Sequence, residues 1–160
     1  MPHIGVVEEN APVSVTPLAD GSHVVDFGRN LAGWTRLRVT GPKGATVVLK
    51  HAEVLMHPPY GPANGSVYQG NLRTALATDT YTLRGDAGGE VYEPHFTYHG
   101  FQFVQVFGYP GTLAAADVTQ VHFRTLNAIR THFKSSSYVV SPHRGAPRLT
   151  STSRLVALDP

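Results

Sequence analysis

Nine histidines and eleven carboxylates are the groups in this 160-residue chain best able to do chemistry. Two histidine pairs stand close in sequence. His95 and His99 are four residues apart in an extended stretch, which puts them ~13 Å apart on one side of a strand. That is too far to share a metal ion. His51 and His57 are separated by a turn toward Pro58. Neither pair has the spacing of a His-Glu-x-x-His helix or of a two-histidine, one-carboxylate triad. The spacing therefore predicts surface or hydrogen-bonded histidines and no metal site. Asp26, Glu53, Asp79, Glu90 and Glu93 would suit glycoside hydrolysis if folding brought two of them together as acid and base. The simpler reading has Glu90 and Glu93 flanking a turn and Asp26 pairing locally. Residues 28–33 (GRNLAG) carry the outer glycines of a phosphate loop but not the Lys-Ser/Thr that must follow, and predict a tight turn between two strands. No Gly-x-Ser-x-Gly elbow presents a nucleophile. The absence of cysteine excludes thiol catalysis, disulfides and Cys-ligated zinc. Trp34 and the tyrosines could stack on the C–H faces of a sugar, although in a packed β domain most aromatics belong to the core.

Strands must position these groups, because the periodicity throughout is that of strands. His23–Gly28 is a short extended run. In Trp34–Thr40, Thr35, Leu37 and Val39 share one side, and Trp34, Arg36, Arg38 and Thr40 the other. Gly41-Pro42-Lys43-Gly44 is a turn, and Ala45–Leu55 is rich in β-branched residues, so the two segments predict a hairpin. Met56–Gly70 is a loop punctuated by proline and glycine. Asn71–Ala77 reads as a helical turn or an extended link. Thr78–Arg84, Glu90–Pro94, Phe96–Gly108 and Val118–Arg124 complete the strands. Phe101, Phe103 and Phe107 share one parity and Val104 and Val106 the other, which marks a strand buried on both faces. Seven or eight short strands with frequent turns predict an all-β fold, an antiparallel β-sandwich or jelly roll.

The net charge of +2 divides unevenly. Residues 1–123 hold seven Lys/Arg and ten Asp/Glu; residues 124–160 hold six Lys/Arg and Asp159 alone. The basic residues of the last quarter are dispersed, so nucleic acid is not the expected partner. No apolar run approaches the ~20 residues of a membrane helix. No leader-like segment opens the chain, which makes the cytoplasm the default expectation. The division of the chain is then an N-terminal extension (1–11), a β-sandwich (12–124), a junction (125–137) and a poorly ordered, basic, Pro/Ser-rich tail (138–160).

Four segments carry a resemblance: Asp26–Trp34 (DFGRNLAGW), Val47–Leu55 (VVLKHAEVL), Asn71–Asp86 (NLRTALATDTYTLRGD) and Tyr92–Gly111 (YEPHFTYHGFQFVQVFGYPG). In this order and spacing, over about residues 12–137, the chain resembles the concanavalin-like β-sandwich domain of bacterial-type α-L-rhamnosidases. Tyr98–Phe101 (YHGF) is the most recognisable piece. In that family the sandwich lies ahead of an (α/α)6 barrel, whose carboxylates remove terminal α-L-rhamnose with inversion. Residues 133–137 resemble the junction to the barrel, and nothing here matches the barrel's acidic motif. The resemblance thus implies no catalytic residue in this chain, no cofactor, and a helical-barrel catalytic domain as partner. It makes the 56–77 loop, with Asn71 and Arg73, the candidate domain contact. Two further readings remain. One is an autonomous carbohydrate-binding module contacting rhamnose-containing oligosaccharide through Trp34, Tyr98 and His99, with Asn71 or Arg73 as polar partners. The other is a small glycoside hydrolase with its own carboxylate pair.

Overall fold

A computed structural model of the chain describes residues 2–126. The predicted junction beyond 126 and the basic tail lie outside the described residues.

Ten strands form: β1 (Ile4–Asn10), β2 (Ser14–Pro17), β3 (His23–Val39), β4 (Thr46–Ala52), β5 (Val54–Leu55), β6 (Val67–Tyr68), β7 (Thr78–Thr82), β8 (Glu90–Tyr92), β9 (His99–Phe107) and β10 (Val118–Thr125). Eight of them make one antiparallel sheet in the order β1-β10-β3-β9-β4-β7, with β2 and β8 also paired to β3. β5 and β6 form a separate two-stranded ribbon. The N-terminal extension, to which the sequence reading gave no element, is itself a strand against β10. The fold is the expected all-β, antiparallel one, built as a single curled sheet. No helix among the described residues is long and apolar enough to cross a membrane.

The tight turn expected at 28–33 is absent, and β3 runs through it for 17 residues. The chain bulges instead of reversing. Gly28 sits at φ +72°, a conformation that costs glycine little. Its amide donates to Asp26 Oδ1 at 2.6 Å. Against β9, Asp26 faces Phe103 and Leu31 faces Phe101, so the stretch around Gly28 is extra chain on one strand only. Before the bulge β3 pairs with β2 and β9; after it, with β9, β10 and β8.

The predicted β3–β4 hairpin is also absent, because β9 lies between the two strands and pairs with both. β9 carries apolar residues on both faces, and only a central position covers both. The Gly-Pro-Lys-Gly turn docks elsewhere: the Gly44 amide donates to Leu83 O at 2.9 Å, and the Leu83 amide to Ala45 O at 2.8 Å. The strand predicted over 45–55 breaks at Glu53 into β4 and β5.

The curled sheet closes on Val25, Phe27, Leu37, Leu49, Phe101, Val104 and Val106, all buried. Phe27 meets Phe101 edge to face at 5.9 Å. On the other side of β9, Val24, Ala52 and Val67 form a smaller cluster with Phe103 against it. The buried Gln105 on that side accepts from the Val67 amide at 3.1 Å and donates to Ser22 Oγ at 2.8 Å.

β3 and β10 approach closely at Gly33, where a Cβ would lie 2.0 Å from the Val121 carbonyl oxygen. Neither backbone can yield without breaking the pairing around it. Gly33→Ala is expected to destabilise by about 1–3 kcal/mol, the usual penalty for overpacking. Gly88→Ala, with nothing within 4 Å of its Cβ, should be close to neutral. Urea unfolding of both variants checks the contrast.

Candidate functional site

Parity along each strand decides which polar groups face solvent and which are sealed inside. On β3 it turns Thr35 and Leu37 inward and leaves Trp34 and Arg36 partly exposed. Trp34 stacks on Phe123 of β10 at 5.4 Å, and Tyr98 meets the same ring edge-on at 5.2 Å. Trp34 Nε1 donates to Glu93 Oε2 at 3.1 Å. Arg36 Nε donates to the other Glu93 oxygen, and its remaining nitrogens reach Glu9 at 2.6 and 3.0 Å. The guanidinium thus joins two carboxylates and holds the Glu9 carboxyl below its usual range. Trp34, Glu93, His95, Phe96, Tyr98 and Phe123 line a cleft of about 330 Å³. Phe96 is fully exposed at its rim, with φ +63°. A bulky residue there is a backbone outlier of the kind that gathers at binding surfaces.

Trp34 and Tyr98 are therefore together, as the sugar-contact reading requires. His99 does not join them. Its Nε2 lies 3.0 Å from Asp79 Oδ1, and its ring stacks on His51 at 4.3 Å. Both are hydrogen-bonded histidines, but they gather across strands. The spacing compared His95 with His99 and His51 with His57, whereas the fold joins His51 to His99. β4, β7 and β9 each contribute one member of this buried His51–Asp79–His99 cluster. His51 Nε2 is 3.9 Å from Asp79 Oδ2 and 2.9 Å from Thr35 Oγ1. Burial first, and then His99, push the His51 imidazole down to about 3, against the opposing pull of Asp79. A sequence signal for this cluster exists. His51 continues the inward row of Val47 and Leu49, and His99 that of Phe101.

Asn71 lies in a short 3-10 turn (Gly70–Leu72) and donates to Glu53 Oε2 at 3.0 Å. Asn30 donates to Glu53 Oε1 at the same distance. Arg73 ends that turn at φ +58°, and its side chain is exposed. Gln69 Nε2 fastens the loop to the framework through His51 O at 2.9 Å and Ala77 O at 3.0 Å. Tyr60 and Leu76 stand exposed on the same 56–77 segment. Asn71 and Arg73 are not brought to the Trp34 cleft's lining.

Ten of the eleven acids lie among the described residues, Asp159 excepted. Every one of the ten already has a hydrogen-bonding partner. Glu90 is the most heavily engaged. It accepts from Tyr81 Oη at 2.5 Å and from the amides of Arg84, Gly85 and Asp86. Those bonds, Tyr81's first, hold it down to about 2. A general acid needs the opposite displacement.

An antiparallel sheet curled over an apolar core, with a smaller cluster on its other side, makes this an all-β module. Residues 16–124 match the family described as the bacterial alpha-L-rhamnosidase concanavalin-like domain, and the chain belongs to that family. An alpha-L-rhamnosidase of Streptomyces avermitilis is 47% identical over 116 residues, covering 72% of this chain and 11% of that protein. One from Alteromonas is 33% identical over 108 residues, covering 68% and 11%. The crystal structure of the Streptomyces avermitilis enzyme complexed with L-rhamnose matches with TM-score 0.72 at 43% identity, over 83% of this chain and 12% of that one. The native Aspergillus terreus enzyme gives 0.71 at 42%, over 85% and 15%. The chain therefore spans about a tenth of the length of the curated relatives it matches.

The Glu90 carboxylate stabilises the fold fully above the unfolded-state value near 4.5. That contribution is lost as the pH falls toward about 2, because the unfolded chain takes up the proton first. Glu90→Gln should weaken the fold at neutral pH and flatten the acid side of its stability curve. Urea unfolding at pH 6 and pH 3 reads both effects, and an unchanged acid slope would remove Glu90 from the account.

Proposed function

We propose that the chain serves as a non-catalytic structural module of a larger α-L-rhamnosidase, packed beside the catalytic domain that hydrolyses terminal α-L-rhamnose. The observation that carries this reading is that each of the ten described acids has at least one hydrogen-bond partner within the chain, so that none stands as a free acid–base pair. The family membership and the small share of each relative that the chain spans support it. The 56–77 segment, with exposed Tyr60, Leu76 and Arg73 beside the Glu53–Asn71 bond, is the proposed contact with that domain. Exposed apolar residues of this kind gain from being covered.

The Trp34 cleft favours a second reading, weak contact with rhamnose-bearing oligosaccharide. A partly exposed indole, two exposed aromatic rings and a carboxylate hydrogen-bonded to the indole make a surface for a sugar's C–H face and hydroxyls.

Purified chain should release no phenol from an aryl α-L-rhamnoside above the buffer rate. Turnover abolished by Glu53→Gln or Glu93→Gln would overturn the non-catalytic reading. In titration calorimetry, a rhamnose-bearing oligosaccharide should give millimolar binding, about −4 kcal/mol, that Trp34→Ala removes. No heat at millimolar ligand rejects the sugar contact and leaves the structural role standing.

A further inference from the structure

We propose that His51, Asp79 and His99 bind one divalent transition-metal ion of the zinc class, tying β4, β7 and β9 together. The donor set is two imidazole nitrogens and one carboxylate oxygen, borderline ligands that suit zinc better than calcium or magnesium. The ligand atoms all lie within 4.8 Å of one another. His99 Nε2 and Asp79 Oδ1 are 3.0 Å apart, and His51 Nε2 and Asp79 Oδ2 are 3.9 Å apart. Bonds of about 2.0–2.2 Å in a tetrahedral site separate neighbouring ligands by roughly 3.3–3.5 Å. The His99–Asp79 separation is already within that reach, and no pair in the set of one atom per residue exceeds 4.8 Å, so the widest pair must close by at most about 1.5 Å through side-chain rotation.

Burial supplies the second observation. The His51 side chain is 0% exposed, Asp79 8% and His99 10%. Yet Asp79 Oδ2, on the side facing His51, has no hydrogen-bond partner. A sealed carboxylate oxygen without a donor loses its hydration and gains nothing in return. A cation between Asp79 and the two imidazoles removes that deficit. Binding has local consequences. Imidazole lone pairs lie in the ring plane, so one ring must turn out of the 25° stack for both to converge. His51 Nε2 must also give up its bond with Thr35 Oγ1. Three protein ligands leave a fourth position for water or for the freed Thr35 hydroxyl.

This site is independent of the accessory role and of the Trp34 cleft. The experiment takes the full 160-residue chain, stripped with chelator, and dialyses it against zinc at neutral pH. Elemental analysis should find one tightly held equivalent. The melting temperature should climb with zinc concentration, as for any ligand of the folded state. Cobalt in place of zinc should show the intense visible bands of a tetrahedral site. Asp79→Asn and His99→Gln should each weaken uptake by more than about a hundredfold, beyond the loss of an outer partner. His57→Gln, a change at an exposed histidine, should leave it intact. Should either ligand variant fail to fold, ¹⁵N resonances of the imidazoles in the unaltered chain decide. Zinc must shift those of His51 and His99 together. No tight equivalent in the folded chain, uptake indifferent to Asp79→Asn, or unmoved His51 and His99 resonances would each overturn the site.

Discussion

The bend in β3 is the constraint on which the rest of the structure depends. One strand serves both halves of the curled sheet, and it can do so only where the ladder is allowed to slip. A bulge leaves main-chain groups without ladder partners, and here side chains take up two of them. Asp26 answers for the Gly28 amide and also accepts from Gln102 of β9 at 2.9 Å. Gln120, fully buried on β10, reaches toward Arg29 O at 3.4 Å and donates to Phe101 O at 2.9 Å. Two side chains from neighbouring strands thus hold the bulge from both sides. The DFG segment that looks like the start of a turn is better understood as a strand with its repair kit attached.

With β3 bent, β9 takes the centre, and its two faces set the chemistry of the interior. Toward the main core it presents Phe101, Val104 and Val106; toward the smaller cluster, Phe103 and Gln105. Buried polar side chains are tolerable when every donor and acceptor is matched. Gln105 and Gln120 meet that test, and so does Glu90 in its nest of amides. The His51–Asp79–His99 cluster does not meet it. Asp79 Oδ2 is the one carboxylate oxygen among the unpartnered buried atoms of the described residues, which otherwise are ring nitrogens of His23, His51 and His122, and that is why the cluster attracts a ligand hypothesis and the glutamines do not.

Much of this was legible from alternation alone. The double-faced pattern of Phe96–Gly108 identified the central strand, and the family motifs agreed with the β-sandwich class. Pairing partners were not legible, because strand order depends on long-range competition. Ala45–Leu55 is the natural local partner of β3 until β9, some fifty residues later, displaces it. The turn expected at 28–33 is absent for a related reason: Gly28 supports a bulge as readily as a reversal, and the chain on both sides of it pairs with β9. The histidine cluster was hidden for a different reason. Their spacing was compared within single segments, whereas His51 and His99 meet across strands. Inward parity with Val47, Leu49 and Phe101 already marked both as core positions.

The segment Tyr98–Phe101 shows how one short motif can serve two environments. Successive side chains leave a strand on opposite sides. Tyr98 is 64% exposed and joins Trp34 at the cleft, while His99 turns inward to Asp79. Gly100 faces outward again, with space for a Cβ 4.0 Å from Glu53 Oε1, and Phe101 is sealed in the core. The same backbone that presents an aromatic ring to a partner therefore anchors itself through His99 and Phe101 one and three residues on. Tyr98 is thereby tied through the backbone to side chains inside the sandwich.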